Sequence, residues 1–120
     1  MSICKLQTQS SAATATLQDW GTVGLPLSEP PCQLHGAKMI LPLANSPEVG
    51  IWECSPGRYR RQVASAETMH IISGQATFTP DGGDSFLLQA GDVHFFPVNT
   101  VGVWDIQQTM RKVYVLFKSS

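Results

Sequence analysis

The chain has 120 residues and a mass of 13.1 kDa, which suits one domain and excludes large multidomain catalytic scaffolds. Hydrophobic residues make up 42% and charged residues 14%, so the chain has enough apolar side chains for a core and unusually few charged residues for its surface. Eight Lys and Arg against nine Asp and Glu give a net charge of -1, without the basic excess that nucleic-acid-binding proteins use. We therefore expect one globular domain that does not bind nucleic acid.

The cellular compartment is predicted from the N-terminus, the apolar runs and the cysteines. The first twenty residues carry one Lys and no apolar run of signal-peptide length. The longest apolar runs, 39–44 and 113–117, are far shorter than the roughly 20 residues that cross a bilayer. Cys4, Cys32 and Cys54 are widely spaced and odd in number, which argues against a disulfide framework or a zinc knuckle. These features predict a cytoplasmic protein with no membrane partner, in which Cys54 is a small buried core residue.

The first predicted element is an extended N-terminal arm, residues 1–37. Up to about residue 31 the sequence is rich in Ser, Thr, Ala, Gln, Gly and Pro and has no sustained periodicity. Scattered apolar side chains, with Trp20 foremost, can anchor such an arm in a surface groove or on a partner subunit. No helix is predicted from residue 38 onward.

Residues 38–118 are predicted to form an all-β barrel. Short runs of β-branched and aromatic residues alternate there with Pro and Gly, a pattern typical of a sandwich or barrel. The Pro-Asp-Gly-Gly-Asp turn at 80–84 supplies the positive φ values of a tight hairpin, so it predicts two adjacent antiparallel strands. The predicted strands cover residues 39–43, 50–54, 58–64, 68–72, 75–79, 85–88, 94–96, 101–104 and 111–117.

Two spaced motifs lie within this β-rich region. Six residues separate Glu67 from Gly74, sixteen separate Gly74 from Gly91, and five separate Gly91 from Pro97. This order and spacing resemble the two cupin motifs, and the local strings resemble the ureidoglycine aminohydrolase-like cupins over roughly residues 38–118. The resemblance implies a cupin double-stranded β-helix, that is, a jelly-roll barrel with a small-molecule site in its mouth. The strings are residues 50–57, 67–74, 91–92, 96–97, 102–104 and 111–114.

The resemblance also implies a metal site, of which this sequence keeps one ligand. A metal-binding cupin places two His and one Glu of the first motif inside the barrel, with one His of the second. Glu67 remains, whereas the two His positions fall on Arg60 and Gln62 or, with the shorter gap, on Arg61 and Val63. A stable divalent site needs three or four donors, so we expect no metal and no other cofactor.

Glu67 is the candidate catalytic residue and the polar centre of the predicted pocket. On a regular strand it shares one face with Met69. A carboxylate on an apolar face needs a hydrogen-bonded or charged partner, which Arg58, Arg60 or Arg61 of the preceding strand can supply. A structural salt bridge and an acid–base role are both open at this point.

The other candidate residues have two interpretations each. His70 and His94 are interpreted as core or surface histidines rather than ligands. Arg111 and Lys112 are interpreted as facing water, with the alternative that they hold a ligand carboxylate. The aromatic candidates either shape a ligand pocket or pack in the core. The predicted pocket consists of Trp52, Arg60, Gln62, Glu67, Met69, Phe96, Trp104 and Tyr114.

The sequence leaves three functions open. The first is a metal-free cupin that binds a small molecule, with or without catalysis. The second follows from the resemblance and is a metal-dependent hydrolase that cleaves a C–N bond of a ureido or amino compound. The third is a non-catalytic module for sensing or assembly, suggested by the low surface charge and the arm. The resemblance further implies a homodimer.

Overall fold

The computed structural model describes residue 3 and residues 5–118, and almost all of its regular structure is β-strand. The all-β fold class is therefore confirmed. Within the described residues no helix is long and apolar enough to cross a membrane. In chain order the elements are α1 (Gln9–Thr14), β1 (Gln18–Thr22), β2 (Gln33–Met39), β3 (Glu48–Cys54), β4 (Gly57–Arg60), β5 (Glu67–Pro80), β6 (Phe86–Gln89), β7 (Val93–Phe96) and β8 (Gly102–Leu116).

Two long strands, β5 and β8, run through both layers of the barrel. They pair with each other antiparallel along almost their whole length. The first half of β5 also pairs with β7, and its second half pairs with β6. The first half of β8 also pairs with β4, and its second half pairs with β3. One layer is therefore β1-β2-β3-β8-β5-β7 and the other is β4-β8-β5-β6. This is the predicted jelly roll, in which shared strands leave few open sheet edges.

The bend between the two layers lies at Gly74. The pairing of β5 with β8 changes register repeatedly between Ile71 and Ala76. Gly74 has a φ of +88°, and a Cβ at this position would overlap the backbone of Thr109 and Met110 on β8. Only glycine combines this left-handed conformation with so close an approach of two strands.

Gly74→Ala is expected to lower the free energy of unfolding by about 3 kcal/mol, because left-handed strain and backbone overlap act together. Gly82→Ala is the matched control, since Gly82 has a φ of +74° but a Cβ added there would meet no atom within 4 Å. Its loss is expected to be about 1 kcal/mol, from strain alone. Urea denaturation measures both losses. Equal losses for the two variants would contradict the close approach at Gly74.

Several predicted strands are joined in the structure. The strands predicted at 68–72 and 75–79 are the two halves of β5, and those predicted at 101–104 and 111–117 belong to β8. The shifts of register let each strand bend without ending. The hairpin predicted at 80–84 is confirmed, because β5 and β6 pair antiparallel on either side of it.

The N-terminal region contains more regular structure than the sequence predicts. The strand predicted at 39–43 is wrong, because β2 ends at Met39 and Pro42 has no N–H for a ladder. Strand β2 crosses the predicted boundary between arm and barrel and pairs with β3. The arm is also not extended throughout, because it contains a helix. The short helix α1 begins with a capping box, in which the Thr8 hydroxyl accepts from the Ser11 N–H.

Aromatic side chains form the centre of the core between the two layers. Trp104 stacks on Phe96 with ring centroids 5.6 Å apart, and it meets Phe78 edge-on at 5.1 Å. Cys54 is fully buried, as predicted, and so is Cys32. Cys4 lies outside the described residues. The core therefore supports one side of the barrel mouth with a rigid aromatic cluster.

Candidate ligand pocket and its ion triad

Three charged side chains, Arg61, Glu67 and Lys112, form an ion triad inside the barrel. Arg61 Nη2 lies 3.0 Å from Glu67 Oε1, and Lys112 Nζ lies 2.8 Å from Glu67 Oε2. Each of the three residues is only 4% or 5% exposed. Two cations against one carboxylate leave a net charge of +1 in the interior.

Strand alternation places two members of the triad. Glu67 begins β5, which lies between β7 and β8 at this point. Lys112 shares the inward face of β8 with Met110 and Tyr114, because side chains two residues apart point to the same face. Arg61 follows the last residue of β4, and its backbone N–H donates to the Gly102 carbonyl at 3.0 Å.

Both terminal nitrogens of the Arg61 guanidinium donate hydrogen bonds to their surroundings. Its Nη1 donates to the carbonyl oxygens of Val63 at 2.8 Å and Thr100 at 2.9 Å. Its plane lies over the Phe96 ring, 5.1 Å from the centroid. Of the three arginines predicted as partners of Glu67, Arg61 is the one that binds it, whereas Arg60 bonds Asp81 at 2.7 Å.

The Lys112 ammonium is enclosed by aromatic rings. Its Nζ lies 4.3 Å from the Trp52 ring centroid and 5.5 Å from that of Trp104. The Met69 sulfur is 3.9 Å away and is a weak acceptor. Cation–π attraction and the Glu67 carboxylate together compensate for the lost hydration of this charge.

The interpretation that Arg111 and Lys112 face water is wrong for both residues. Lys112 points into the barrel, and Arg111 lies on the opposite face of β8 beneath the N-terminal segment. Arg111 binds Glu53 at 3.0 Å and donates to the carbonyl oxygens of Ala12 and Ala15. Both faces of β8 are covered at this point, so both side chains are largely buried, with 12% of Arg111 and 6% of Lys112 exposed.

Burial and the neighbouring charges shift the pKa values of Glu67 and Lys112. Burial favours a higher pKa for Glu67, but the neighbouring Lys112 and Arg61 outweigh it and hold the pKa below its ordinary value of 4.5. Burial lowers the pKa of Lys112 below its ordinary value of 10.5, although Glu67 acts in the opposite direction. A carboxylate held ionised between two cations is a weak base, which favours the salt bridge over an acid–base role for Glu67.

A cavity of about 220 Å³ opens over the triad, and its walls combine aromatic and aliphatic side chains. All three tryptophans of the chain, Trp20, Trp52 and Trp104, line it. At its rim the Tyr114 hydroxyl donates to Glu48 at 2.7 Å. Apolar and aromatic walls with a few placed polar or charged groups are typical of a small-molecule site.

Six of the eight predicted pocket residues line this cavity, and two do not. Met69 lies behind the Lys112 ammonium, and Phe96 lies behind Arg61 and Trp104. The six are Trp52, Arg60, Gln62, Glu67, Trp104 and Tyr114.

The predicted pocket left out three lining residues, Trp20, Arg61 and Lys112, although Lys112 was considered as an alternative ligand for a carboxylate. Trp20 lies against Gly36 of β2, where any Cβ would overlap its ring. For Lys112 a signal was present, because it lies two residues from the inward-facing Tyr114. The signal for Trp20 was its position as the only tryptophan of the predicted arm.

The two candidate histidines lie away from the pocket lining. His70 is half-buried on the outer face of β5. His94 Nε2 lies 3.6 Å from Asp92, and its ring centroid is 5.6 Å from that of Phe86. Neither histidine joins Glu67, as strand alternation predicts for His70.

The residues at the cupin metal position do not fit a divalent cation. Both oxygens of Glu67 are already bonded to cationic side chains. A divalent ion at this carboxylate would meet the charges of Arg61 and Lys112 at short range in a medium of low polarity. The Arg and Lys side chains offer no lone pair in their charged forms.

A model of the EutQ-like cupin domain matches residues 44–114 of this chain. The chain belongs to the EutQ-like cupin family. The cupin prediction is thus confirmed at the level of the family. Strand β1, which carries the cavity-lining Trp20 of this cupin, lies outside the residues that match the family model. No curated protein matches the chain.

Solved structures share the cupin fold of this protein. It is similar to a Pseudomonas syringae pv. tomato protein of unknown function from the DUF861 family, at 22% identity and a TM-score of 0.76. That match covers 86% of this cupin but only 45% of the other chain, so this chain spans less than half of that protein. It is also similar to the Clostridium difficile EutQ protein, at 16% identity and a TM-score of 0.64, covering 79% and 80% of the two chains. A DUF861 family protein from Thermotoga maritima is 28% identical with a TM-score of 0.54, covering 56% of this chain and 76% of that one.

Proposed function

We propose that this cupin binds a small organic molecule in the aromatic cavity and does so without a divalent metal. The observation that carries the proposal is the position of Lys112. Its ammonium lies at the cavity floor between Glu67 and the Trp52 ring, buried yet part of the lining. A pocket with apolar walls and a few fixed polar groups gains affinity from the walls and orientation from the polar groups.

Metal-dependent hydrolysis of a ureido or amino compound, which the resemblance to ureidoglycine aminohydrolase-like cupins implies, has less support. Such chemistry relies on a metal ion that polarises the substrate or activates water. In this chain the one remaining ligand position, Glu67, is bonded to Arg61 and Lys112. The donor set therefore favours ligand binding over metal-assisted cleavage of a C–N bond.

Thermal shift assays with a collection of small metabolites test the proposal. We expect at least one compound class to raise the Tm, since a ligand at 100 times its Kd stabilises a protein by about 2.7 kcal/mol. Elemental analysis of the same sample should find far less than one divalent ion per chain, and a chelator should leave the Tm unchanged. A stoichiometric divalent ion whose removal lowers the Tm would contradict the metal-free proposal.

Two variants tell binding in this cavity from binding elsewhere. Trp52→Ala removes one cavity wall and is expected to abolish the ligand-induced rise in Tm. Leu87→Ala changes an exposed side chain of β6 that does not line the cavity, so the rise should persist. A rise that survives Trp52→Ala unchanged would place the ligand outside the aromatic cavity.

A further inference from the structure

We propose that the ligand of this pocket is a small monocarboxylate with a flat apolar body, and that its carboxylate binds the Lys112 ammonium. This inference rests on the proposed function and names the chemical class of the ligand. It follows from the charge balance of the cavity, from the unused hydrogen-bond donors at its floor and from the composition of its walls.

The charge balance calls for one negative charge. The ion triad carries a net charge of +1, and burial of an uncompensated charge is costly. The other charged lining residues have partners outside the triad. Arg60 is matched by Asp81 at 2.7 Å, and the half-exposed Glu48 is matched by Lys38 at 3.8 Å. A monoanion therefore neutralises the floor, whereas a dianion would leave it with a net charge of −1.

Lys112 has the donor capacity to bind that anion. An ammonium has three N–H donors. One is used by the Glu67 carboxylate, and the Met69 sulfur at 3.9 Å is a weak acceptor for another. Arg61 instead divides its terminal nitrogens among Glu67 and two backbone carbonyls. The incoming carboxylate thus finds its charged donor at Lys112, beside the bond to Glu67.

The walls favour a flat apolar body. The Trp52 and Trp104 rings have centroids 6.4 Å apart and are inclined by 38°, and both line the cavity beside the Lys112 ammonium. Trp20 provides a further aromatic surface. A planar ligand can stack favourably against such rings. The cavity volume of about 220 Å³ limits the ligand to a small molecule.

Benzoate and benzamide are matched probes for this inference, because they share a ring and a planar head group and differ in charge. Tryptophan emission reports binding directly, since every tryptophan of the chain lines the cavity. At constant ionic strength we expect benzoate to bind about tenfold more tightly than benzamide, or better. Lys112→Met should reduce benzoate binding to the level of benzamide. Lys118→Met removes an exposed lysine and should leave it unchanged.

The outcomes separate this inference from the proposed function. Equal affinity for benzoate and benzamide, or benzoate binding that survives Lys112→Met, would overturn the monocarboxylate and leave a small-molecule pocket in place. Tighter binding of phenyl phosphate at a pH where it is a dianion would overturn it as well. If benzoate does not change the tryptophan emission but other metabolites raise the Tm, the inference alone is overturned. If neither the emission nor the Tm responds to any compound, the proposed function is overturned as well.

Discussion

Glu67→Gln is expected to lower the free energy of unfolding by about 3–5 kcal/mol, the usual cost of removing one partner from a buried ion pair. Glutamine has nearly the shape of glutamate, so the loss is one of charge. Without the carboxylate, Arg61 and Lys112 remain as buried cations with no counter-charge. Urea denaturation at pH 7 measures the loss.

Glu53→Gln is the matched control for this substitution. Glu53 also pairs with an arginine, Arg111, at 3.0 Å, but its side chain is 26% exposed. Arg111 keeps its bonds to two backbone carbonyls after the change. The expected loss is therefore about 1 kcal/mol or less. Similar losses for Glu67→Gln and Glu53→Gln would contradict a special role for the buried triad.

The pH dependence of stability gives a second measure of the same carboxylate. The folded-state pKa of Glu67 is lowered from 4.5, so its contribution is complete above that pH. The contribution is lost as the pH falls from 4.5 through the folded-state pKa, because in that range the unfolded chain binds a proton that the folded chain does not. The Glu67→Gln variant should therefore lose less stability than the wild-type protein on acidification below pH 4.5. Parallel curves for the two proteins would show that Glu67 contributes nothing to acid unfolding.

Much of the barrel was predictable from short-range features of the sequence. The Asp-Gly-Gly turn has the backbone preferences of a hairpin, and the alternation after Glu67 is that of a half-buried strand. The N-terminal strands β1 and β2 were harder to predict because they contain little β-branched sequence. Their stability comes from pairing with β3 and from the packing of Trp20 on Gly36, neither of which is local in sequence.

The ion triad was predictable in part. The rule that a buried carboxylate needs a partner pointed to a nearby arginine, and Arg61 is one of the three proposed. Lys112 escaped because an Arg-Lys pair usually lies on a solvated face. Its inward direction depends on the register of β8, which is shifted at the bend near Gly74. Charge type alone could not reveal that both faces of this strand are covered.

Trp104→Ala is expected to destabilise the fold by about 3–5 kcal/mol, because it leaves a large cavity where three aromatic rings meet. Trp104 is 2% exposed and contacts Phe96, Phe78 and Trp52. Trp20→Ala is the control, because Trp20 lines the same pocket. Trp20 is only half-buried on the edge strand β1, so its loss should stay below about 2 kcal/mol.

Circular dichroism during urea denaturation compares the two tryptophan variants without relying on their emission. If the loss is larger for Trp104→Ala, then Trp104 is both a core residue and a cavity-lining residue. The shape of the cavity at Trp104 then cannot change without destabilising the barrel. Trp20 then forms a wall that can change at little cost to folding, so ligand specificity is adjustable there. Equal losses would instead mean that β1 is as integral to the barrel as β8, and that neither wall changes independently of the fold.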